Sequence, residues 1–503
     1  MAEHLRALVV VMACALGYFY VARAAVTQIL PESTYRRWRN LWVVATLILF
    51  LSYGMWAYML VLGAVLLVAG RREEHVVGLY FLLLFVSPPA PAAIPGLGLV
   101  DLLLVLNHYR LLGLVLLLPV AASLIQRSST PRIGSSPVDL MVVGYLALMS
   151  ILTFRPGNIT SALRDVFTLF IDIFLPYYVV SRSIRSEDGF RQAMTGFVMA
   201  AMILSLHAVF EVLWSWKLYS GVLSVLGINP WIFGGYLERS GLLRPNASIG
   251  NSIALGYVVV VALGFFFYLR QFLSKSSQRL VGTGVLVSGI VASLSRGPWV
   301  GAAFLAIVYI LISPHTMKRL LQLALGAAVT FGVLNLHSSG QLLIDMLPIV
   351  GTAEQGNVEY RANLLTSALP VIERHLMFGS HDFLQAPELQ VMMQGEGIID
   401  VVNSYVGVAL YSGLFGLLLF VGAFFATLQQ LRKSIRAVRM RDARLAILGR
   451  ALFSTVAAIM LIIYTVSSIS AIPVVFWSVL GLCVAFAGLV ANLDRKQDEV
   501  TAK

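Results

Sequence analysis

The chain has 503 residues, of which 59% are hydrophobic and 12% are charged. A soluble domain carries roughly 25% charged residues, so these charges are too few to cover the surfaces of several water-soluble domains. The apolar residues also fall in long runs. The composition therefore excludes a set of soluble domains. It predicts an all-α polytopic membrane protein, because helices satisfy their backbone hydrogen bonds internally within a bilayer.

The net charge is +12, from 36 Lys and Arg residues against 24 Asp and Glu residues. In a soluble protein this excess would indicate a nucleic-acid partner. Here the basic residues lie in short tracts between apolar runs, as the positive-inside rule predicts for cytoplasmic loops. We therefore expect the lipid bilayer as a partner and no nucleic acid.

The apolar runs predict many transmembrane helices, since one span needs about 20 apolar residues. The predicted spans are 7–22, 74–87, 102–125, 138–154, 164–181, 192–214, 247–269, 280–294, 298–313, 320–336, 403–428, 448–467 and 473–491. The run 41–70 forms one long helix or, with a break at Ser52-Tyr53-Gly54, a hairpin of two. This gives about 14 or 15 spans in a single transmembrane domain over 1–503. We expect the first run to be a retained helix and not a cleaved signal peptide.

The basic tracts predict the orientation. They recur in every second loop, for example at Arg71-Arg72 and Lys318-Arg319, and the densest tract lies in the loop 429–447. We expect these loops in the cytoplasm, with the 41–70 hairpin present. The opposite, outer face then carries the long loop 337–402. Apolar residues at helical spacing in that loop predict an amphipathic helix lying on the membrane: Leu364, Leu365, Ala368, Leu369 and Ile372.

The informative arginines are those that this topology places on or near the outer face: Arg155, Arg164, Arg239, Arg244, Arg296, Arg361 and Arg374. A guanidinium group is a planar, permanently charged donor that binds phosphate through two parallel hydrogen bonds. Several of them converging on one cavity would suit a diphosphate. Each one singly also fits an interfacial anchor or a structural ion pair, and this alternative stays open.

Two short motifs fix such arginines beside helix ends. Arg296 lies in the turn Ser293-Leu294-Ser295-Arg296-Gly297-Pro298 between two predicted spans. Arg244-Pro245-Asn246 comes just before another span, whose first turn offers free backbone N–H groups to an anion. The alternatives are a snorkelling arginine at the first motif and ordinary helix capping at the second.

Several carboxyl and imidazole groups are candidates for acid–base chemistry. Glu396, Asp400 and Asn403 lie together where the long loop enters a span, and burial there would raise a carboxyl pKa towards the range of a general base. The alternative is that Asp400 or Asn403 caps that span. His381 is a further candidate base in the loop.

Asp172, His207 and Glu211 fall inside predicted spans, where ionisable groups serve a proton relay or an interhelical contact. Cys14 and Cys483 lie in apolar runs, and no metal-binding spacing is present. We therefore expect no metal and no cofactor.

Three segments make residues 160–430 resemble the O-antigen ligase and Wzy-type O-antigen polymerase superfamily. They are Arg244-Pro245-Asn246 with its span, the Ser-Leu-Ser-Arg296-Gly turn, and the long loop from Tyr360-Arg361 through Phe378-Gly379 to Asn403-Ser404-Tyr405. The loop runs into Gly413-Leu414-Phe415-Gly416-Leu417, which is similar to the membrane re-entry of the family.

The resemblance implies an inverting, metal-independent glycosyltransferase at the periplasmic face of the bacterial inner membrane. The donor would be a glycan on undecaprenyl diphosphate and the acceptor a sugar hydroxyl. By motif, Arg244, Arg296 and Arg361 would hold the diphosphate, since preorganised cations stabilise a leaving anion. Asn403 and Tyr405 are further substrate-binding candidates, and chain-length regulators and export proteins are candidate partners.

The chain departs from the family at one position. Members of the family have His-Asn at the re-entry, whereas this sequence has Val402-Asn403. The base is then Asp400, Glu396 or His381, or the reaction depends mainly on ionisation of the donor. The sequence of residues 399–405, Ile-Asp-Val-Val-Asn-Ser-Tyr, resembles that of exopolysaccharide polymerases. A polymerase is therefore favoured over a ligase. A transporter or lipid flippase is a third interpretation, although no internal repeat supports it.

Overall fold

A computed structural model describes residues 2–96, 102–233, 235–336, 338–347, 355–394 and 397–501. The helices are α1 Glu3–Val26, α2 Glu32–Leu51, α3 Met55–Arg71, α4 Val76–Leu83, α5 His108–Leu112, α6 Leu118–Gln126, α7 Pro137–Leu152, α8 Ile159–Leu169, α9 Leu175–Ser183, α10 Glu187–Trp214, α11 Ser220–Val225, α12 Ser252–Leu269, α13 Ser276–Ala292, α14 Arg296–Leu311, α15 Thr316–Asn335, α16 Ser338–Asp345, α17 Gln355–Arg374, α18 Pro387–Gln390, α19 Ser404–Val438, α20 Ala443–Tyr464 and α21 Ile472–Thr501. The strands are β1 Ala92–Pro95, β2 Leu102–Leu106, β3 Glu238–Arg239 and β4 Leu242–Leu243, and they form two antiparallel pairs.

The all-α polytopic class is confirmed. Within the described residues, eight helical segments are long and apolar enough to cross a membrane: α1, α5 with α6, α10, α12, α15, α19, α20 and α21. Three shorter apolar helices are α3, α7 and α14. The remaining spans of the predicted 14 or 15 stay a prediction.

Several predicted spans differ from the helices in the structure. The break at Ser52-Tyr53-Gly54 is present, with Gly54 at φ 146°, but α2 already begins at Glu32 and therefore contains Arg36, Arg37 and Arg39. In 102–125, strand β2 occupies the first five residues and helix starts only at His108, since Asn107 caps α5. The apolar run 74–87 is helical only over Val76–Leu83. Most of the basic loop 429–447 is helical, because α19 ends at Val438 and α20 begins at Ala443.

Helix starts follow from short polar side chains that accept hydrogen bonds from the first-turn N–H groups. Ser136 caps α7 with Asp139 completing a capping box. Asn251, Asn403 and Asp442 cap α12, α19 and α20 in the same way. These residues interrupt apolar sequence at the points where each helix must start.

Helix α12 forms the centre of the bundle, and almost all of its side chains are buried. Close helix crossings depend on small residues, as is usual in membranes. A Cβ atom on Gly196 of α10 would lie 2.1 Å from the carbonyl oxygen of Gly78 in α4. The absence of that atom allows the two backbones to touch and places the C-terminal half of α10 beside the start of α12.

The long loop contains the predicted amphipathic helix as α17. Its residues Leu364, Ala368 and Val371 are buried in a second hydrophobic cluster, which also contains residues of α18 and the first turns of α19. The prediction that this apolar face lies on the membrane is therefore wrong for Leu364 and Ala368. Leu365 and Leu369 on the neighbouring face are 43% and 48% exposed. Packing on α19 fixes α17 over the end of the bundle.

Candidate functional site

A cavity of about 820 Å³ opens at the end of the bundle where α10 stops and α12, α17, α19 and α21 begin. Residues of α5, α12, α17 and α21 line it, together with residues from the segments that precede α12, α19 and α21. Among the described residues, the charged ones that line it are Arg110, Asp172, Arg239, Arg244, Arg361 and Asp400. The cavity therefore combines four guanidinium groups with two carboxyl groups.

The hairpin of β3 and β4 carries two of these arginines. Ser240 and Gly241 have positive φ angles of 50° and 76°, as a two-residue type I′ turn requires. The backbone N–H of Arg244 donates to the carbonyl of Leu237 at 2.9 Å and closes the hairpin. Arg239 thus lies beside the turn of this short hairpin and Arg244 at its open end, and both side chains line the cavity. Arg239 Nη1 also donates to the carbonyl of Leu294 at 2.5 Å.

Glu211 anchors the chain just after the hairpin. This buried residue lies in the last turn of α10, and its Oε2 accepts from the backbone N–H groups of Asn246 and Ala247 at 2.9 Å each. Its Oε1 accepts from the N–H of Leu218 at 2.8 Å. The carboxyl group therefore fixes the loop that carries Arg244. His207, one turn earlier, has Nε2 3.4 Å from the carbonyl of Val11, which is an interhelical contact.

Arg296 is held at the first position of α14 by the predicted short turn. Leu294 has φ 46°, and the Ser293 hydroxyl donates to the carbonyl of Ile290 at 2.6 Å, so the chain reverses within three residues. Arg296 Nε donates to the carbonyl of Met346 at 3.1 Å. Its positive charge lowers the pKa of Arg361, so the two guanidinium groups lie near each other, although Arg296 itself is not among the described residues that line the cavity.

Arg361 has several of the other charged residues as neighbours: Arg239, Arg296 and Asp400. It lies in α17 and is half-buried. Burial lowers its pKa most, the cations Arg239 and Arg296 lower it further, and Asp400 raises it. Converging cations in a desolvated site repel one another, and a bound anion relieves that repulsion. Arg244 and Arg361 thus line one cavity, and Arg296 lies near Arg361.

The candidate bases are spread more widely. Asp400 lines the cavity, where its Oδ1 accepts from the Ser467 hydroxyl at 2.6 Å. Glu396 lies outside the described residues. His381 is on the surface, 43% exposed, with its ring 6.3 Å from that of Tyr411, and it is not part of the cavity lining. Sequence spacing had grouped them because all three lie in one loop.

Asn403 and Tyr405 have structural contacts. The Asn403 carbonyl oxygen caps α19 by accepting from the N–H groups of Tyr405 and Val406 at 3.0 and 3.3 Å. The Tyr405 hydroxyl donates to the carbonyl of Met460 in α20 at 2.9 Å. The capping alternative from the sequence is thus the one seen for Asn403, and neither residue lines the cavity.

Three other predicted arginines have structural partners. Arg155 donates to the carbonyls of Tyr411, at 3.0 Å, and Phe378. Arg164 donates to the carbonyl of Leu102 at 3.0 Å. Arg374 forms an exposed ion pair with Glu388 at 2.6 Å. The sequence could not separate these arginines from those of the cavity.

Sequence reasoning missed Arg110. It fell inside the predicted span 102–125, whereas the structure places it in the first turn of α5. There it pairs with Asp172, with Nη2 2.8 Å from Oδ2. The polar tetrad Asn107-His108-Tyr109-Arg110 in an apolar stretch was the available signal. Asp172 itself lies in a π-helical turn, Phe170–Phe174, and not in a regular span.

Comparison with known families identifies one segment of the chain. Residues 281–421 match the family model described as O-antigen ligase. The chain carries an O-antigen ligase domain. This confirms the resemblance to the O-antigen ligase and Wzy-type polymerase superfamily and supports glycan transfer at a membrane. No curated protein matches the chain significantly.

The O-antigen ligase domain contains Arg296, Arg361 and Asp400, whereas Arg239 and Arg244 lie outside the matched residues. The cavity is therefore built partly by the domain and partly by segments before and after it. The domain also contains a break in α19 at Gly413, with φ 66° and ψ −163°.

The long loop forms backbone hydrogen bonds with both sides of this break in α19. The N–H of Leu414 donates to the carbonyl of Leu376 at 2.7 Å, and the N–H of Ser380 donates to the carbonyl of Leu410 at 2.8 Å. Backbone groups freed inside a membrane helix need such partners. The two quoted motifs of the O-antigen ligase domain, Phe378-Gly379 and Gly413-Leu-Phe-Gly-Leu, therefore form one contact.

Proposed function

We propose that the protein is a glycosyltransferase that polymerises lipid-diphosphate-linked oligosaccharide repeat units into exopolysaccharide or O-antigen. The observation that carries this proposal is the convergence of Arg239, Arg244 and Arg361, with Arg296 beside them, on one cavity of a chain with an O-antigen ligase domain. We place the cavity at the periplasmic face of a bacterial inner membrane, because the basic tracts lie at the opposite helix ends.

The arginines would bind the diphosphate of an undecaprenyl-linked donor. A diphosphate offers several oxygen atoms in two planes, and guanidinium groups from three separate elements approach such a group from different directions. Arg239 and Arg244 come from the hairpin, Arg361 from α17 and Arg296 from the start of α14. Arg361 lines the cavity, and within the described residues no hydrogen bond of its guanidinium is seen.

Transfer would proceed by direct displacement. The acceptor hydroxyl oxygen forms a bond to the anomeric carbon as the bond from that carbon to the diphosphate oxygen breaks. The diphosphate leaves with the bonding electrons, and the arginines stabilise the charge that develops on it. The hydroxyl proton passes to a carboxylate, for which Asp400 is the candidate at the cavity and Glu396 the neighbouring one. This step inverts the anomeric carbon and uses no metal ion.

The sequence around Asp400 favours a polymerase over a ligase. The segment Ile399-Asp400-Val401-Val402-Asn403-Ser404-Tyr405 resembles exopolysaccharide polymerases. In a polymerase the acceptor is another lipid-linked repeat unit, whereas a ligase transfers the glycan to a different lipid or to a protein. Chain-length regulators and export proteins are the partners expected of a polymerase.

The first test is reconstitution in vitro. Purified protein in detergent receives one lipid-diphosphate-linked repeat unit as its only substrate, with a chelator present, and the products are separated by size. A ladder of longer lipid-linked chains supports polymerisation. Transfer that appears only after addition of a different acceptor would instead establish a ligase. A bound but unchanged donor would refute glycan transfer and favour transport.

Arg361→Lys tests the proposed donor site in the same assay. Lysine keeps the charge but loses the two-pronged geometry, and removal of one preorganised donor lowers turnover by about 100-fold. Arg374→Lys is the matched control, because Arg374 lies on the same helix, forms an exposed ion pair with Glu388 and does not line the cavity. Equal activity of the two variants would remove Arg361 from the site.

A further inference from the structure

The cavity contains a second polar surface that is chemically different from the arginine group. It consists of Asn107, Tyr109, Arg110 and Asp172. These residues come from α5, its capping residue and the π-helical turn Phe170–Phe174. None of these elements carries Arg239, Arg244, Arg296 or Arg361.

The charges on this surface neutralise each other. Arg110 Nε lies 3.1 and 3.2 Å from the two carboxylate oxygens of Asp172, and Nη2 lies 2.8 Å from Oδ2. Arg110 Nη1 donates to the carbonyl of Val105 at 2.5 Å. Because a guanidinium group has five N–H donors and a carboxylate about four acceptor positions, both groups retain hydrogen-bonding capacity. The side chains are 16% and 26% exposed.

Tyr109 gives an independent indication of a ligand. Its side chain lines the cavity and the residue is only 5% exposed. In the described part of the chain its hydroxyl makes no hydrogen bond of good geometry. The nearby Ser470 hydroxyl, which also lines the cavity, donates to the carbonyl of Ile249 at 2.9 Å instead. A buried hydroxyl without a partner costs free energy that a ligand hydrogen bond recovers.

Paired charges, a buried hydroxyl and an amide suit a neutral ligand with many hydroxyl groups. An anion would gain little here, because Asp172 cancels the charge of Arg110. A sugar ring both donates and accepts hydrogen bonds, and its hydroxyls match the alternating donors and acceptors of this surface. A second sugar must also lie in the same cavity as the diphosphate for displacement to occur.

We infer that Asn107, Tyr109, Arg110 and Asp172 form the subsite that binds the acceptor sugar. The inference rests on the proposed function and adds the position of the second substrate. Asp172 accepts hydrogen bonds from acceptor hydroxyls while Arg110 fixes its orientation, and Tyr109 adds one hydrogen bond. These are positioning residues for the acceptor and are separate from the diphosphate ligands.

Tyr109→Phe is the sharpest test, because it removes only a hydroxyl that makes no hydrogen bond of good geometry within the described residues. The variant should fold and melt like the wild type. A water-soluble fluorescent repeat-unit oligosaccharide serves as acceptor, and the lipid-linked donor has its own acceptor hydroxyl replaced by hydrogen. The acceptor KM should rise about three- to ten-fold, with kcat and donor affinity little changed.

Tyr257→Phe is the matched control. Tyr257 is fully buried in α12, its hydroxyl also has no partner within the described residues, and it does not line the cavity. Asp172→Asn should raise the acceptor KM by at least about ten-fold. Its control is Asp165→Asn, an exposed carboxylate two helical turns earlier in α8.

Direct binding of the same oligosaccharide, measured by saturation-transfer NMR, separates the two proposals. If the wild type transfers no glycan but binds the oligosaccharide through Tyr109 and Asp172, the polymerase proposal fails and the subsite stands. If glycan transfer is intact and both variants match their controls in KM and binding, the subsite is overturned alone. Absence of oligosaccharide binding by the wild type also overturns it.

Discussion

Replacing Glu211 by glutamine tests whether this residue positions the arginine hairpin or relays protons. The carboxylate accepts three backbone hydrogen bonds of 2.8 to 2.9 Å in a fully buried site. Glutamine has almost the same shape but only one acceptor oxygen. If that oxygen keeps the N–H groups of Asn246 and Ala247, the amide NH₂ must face the N–H of Leu218, and one donor is left unsatisfied.

The magnitude follows from these contacts. A hydrogen bond to a charged group contributes about 1.5–3 kcal/mol, and an unsatisfied buried donor costs about 1–3 kcal/mol. We therefore expect Glu211→Gln to lower the free energy of unfolding by about 2–4 kcal/mol. Glu211→Ala leaves three donors without an acceptor and should cost more. Because Asn246 follows Arg244 by two residues, both variants should also weaken donor binding.

The assay compares unfolding of the purified variants in detergent with their affinity for the lipid-linked donor. His207→Gln is the control, since the 3.4 Å contact of His207 with Val11 is weak. A proton relay would require both residues and would leave stability unchanged. Normal stability and donor affinity of Glu211→Gln, with loss of activity in both variants, would refute the positioning role.

Three further substitutions test the backbone of the site. Gly413→Ala should reduce both stability and activity, since φ 66° disfavours a side chain and the new Cβ would lie 2.4 Å from the carbonyl carbon of Met377. A strained backbone of this kind costs about 1–3 kcal/mol. An unchanged melting temperature would contradict the tight contact. Gly196→Ala should impair folding more severely, measured as the yield of monodisperse protein, because its Cβ would meet the carbonyl oxygen of Gly78 at 2.1 Å; wild-type yield would contradict the crossing. Asn403→Ala should cost about 1 kcal/mol of stability and leave donor affinity intact, whereas a selective loss of donor affinity would show that Asn403 binds substrate.

Much of the fold could be predicted from local sequence. Runs of apolar residues predict spans because each residue in a bilayer helix must face lipid or protein. The break at Gly54, the turn before Arg296 and the helix α17 were predictable for similar reasons. Predicted spans were wrong where strand pairing overrides hydropathy. Residues 102–106, for example, pair as a strand with Ala92–Pro95.

The candidate site was only partly predictable. Arg244 and Arg361 could be proposed from their motifs, and both line the cavity. Arg155 had an equally suggestive position but donates to backbone carbonyls of the long loop and of α19. The two cases differ only in which distant segment lies nearby, and hydropathy and spacing carry no information about that.

The sequence by itself determined the membrane class, the helix starts at Ser, Asn and Asp caps, and the supply of arginines beside helix ends. These properties depend on residues within one or two helical turns of each other, so a linear pattern contains them. Tertiary structure decided which side chains share the cavity. Arg110 meets Asp172 across 62 residues and Glu211 meets Ala247 across 36, because the crossing of helices, and not their order along the chain, sets those distances.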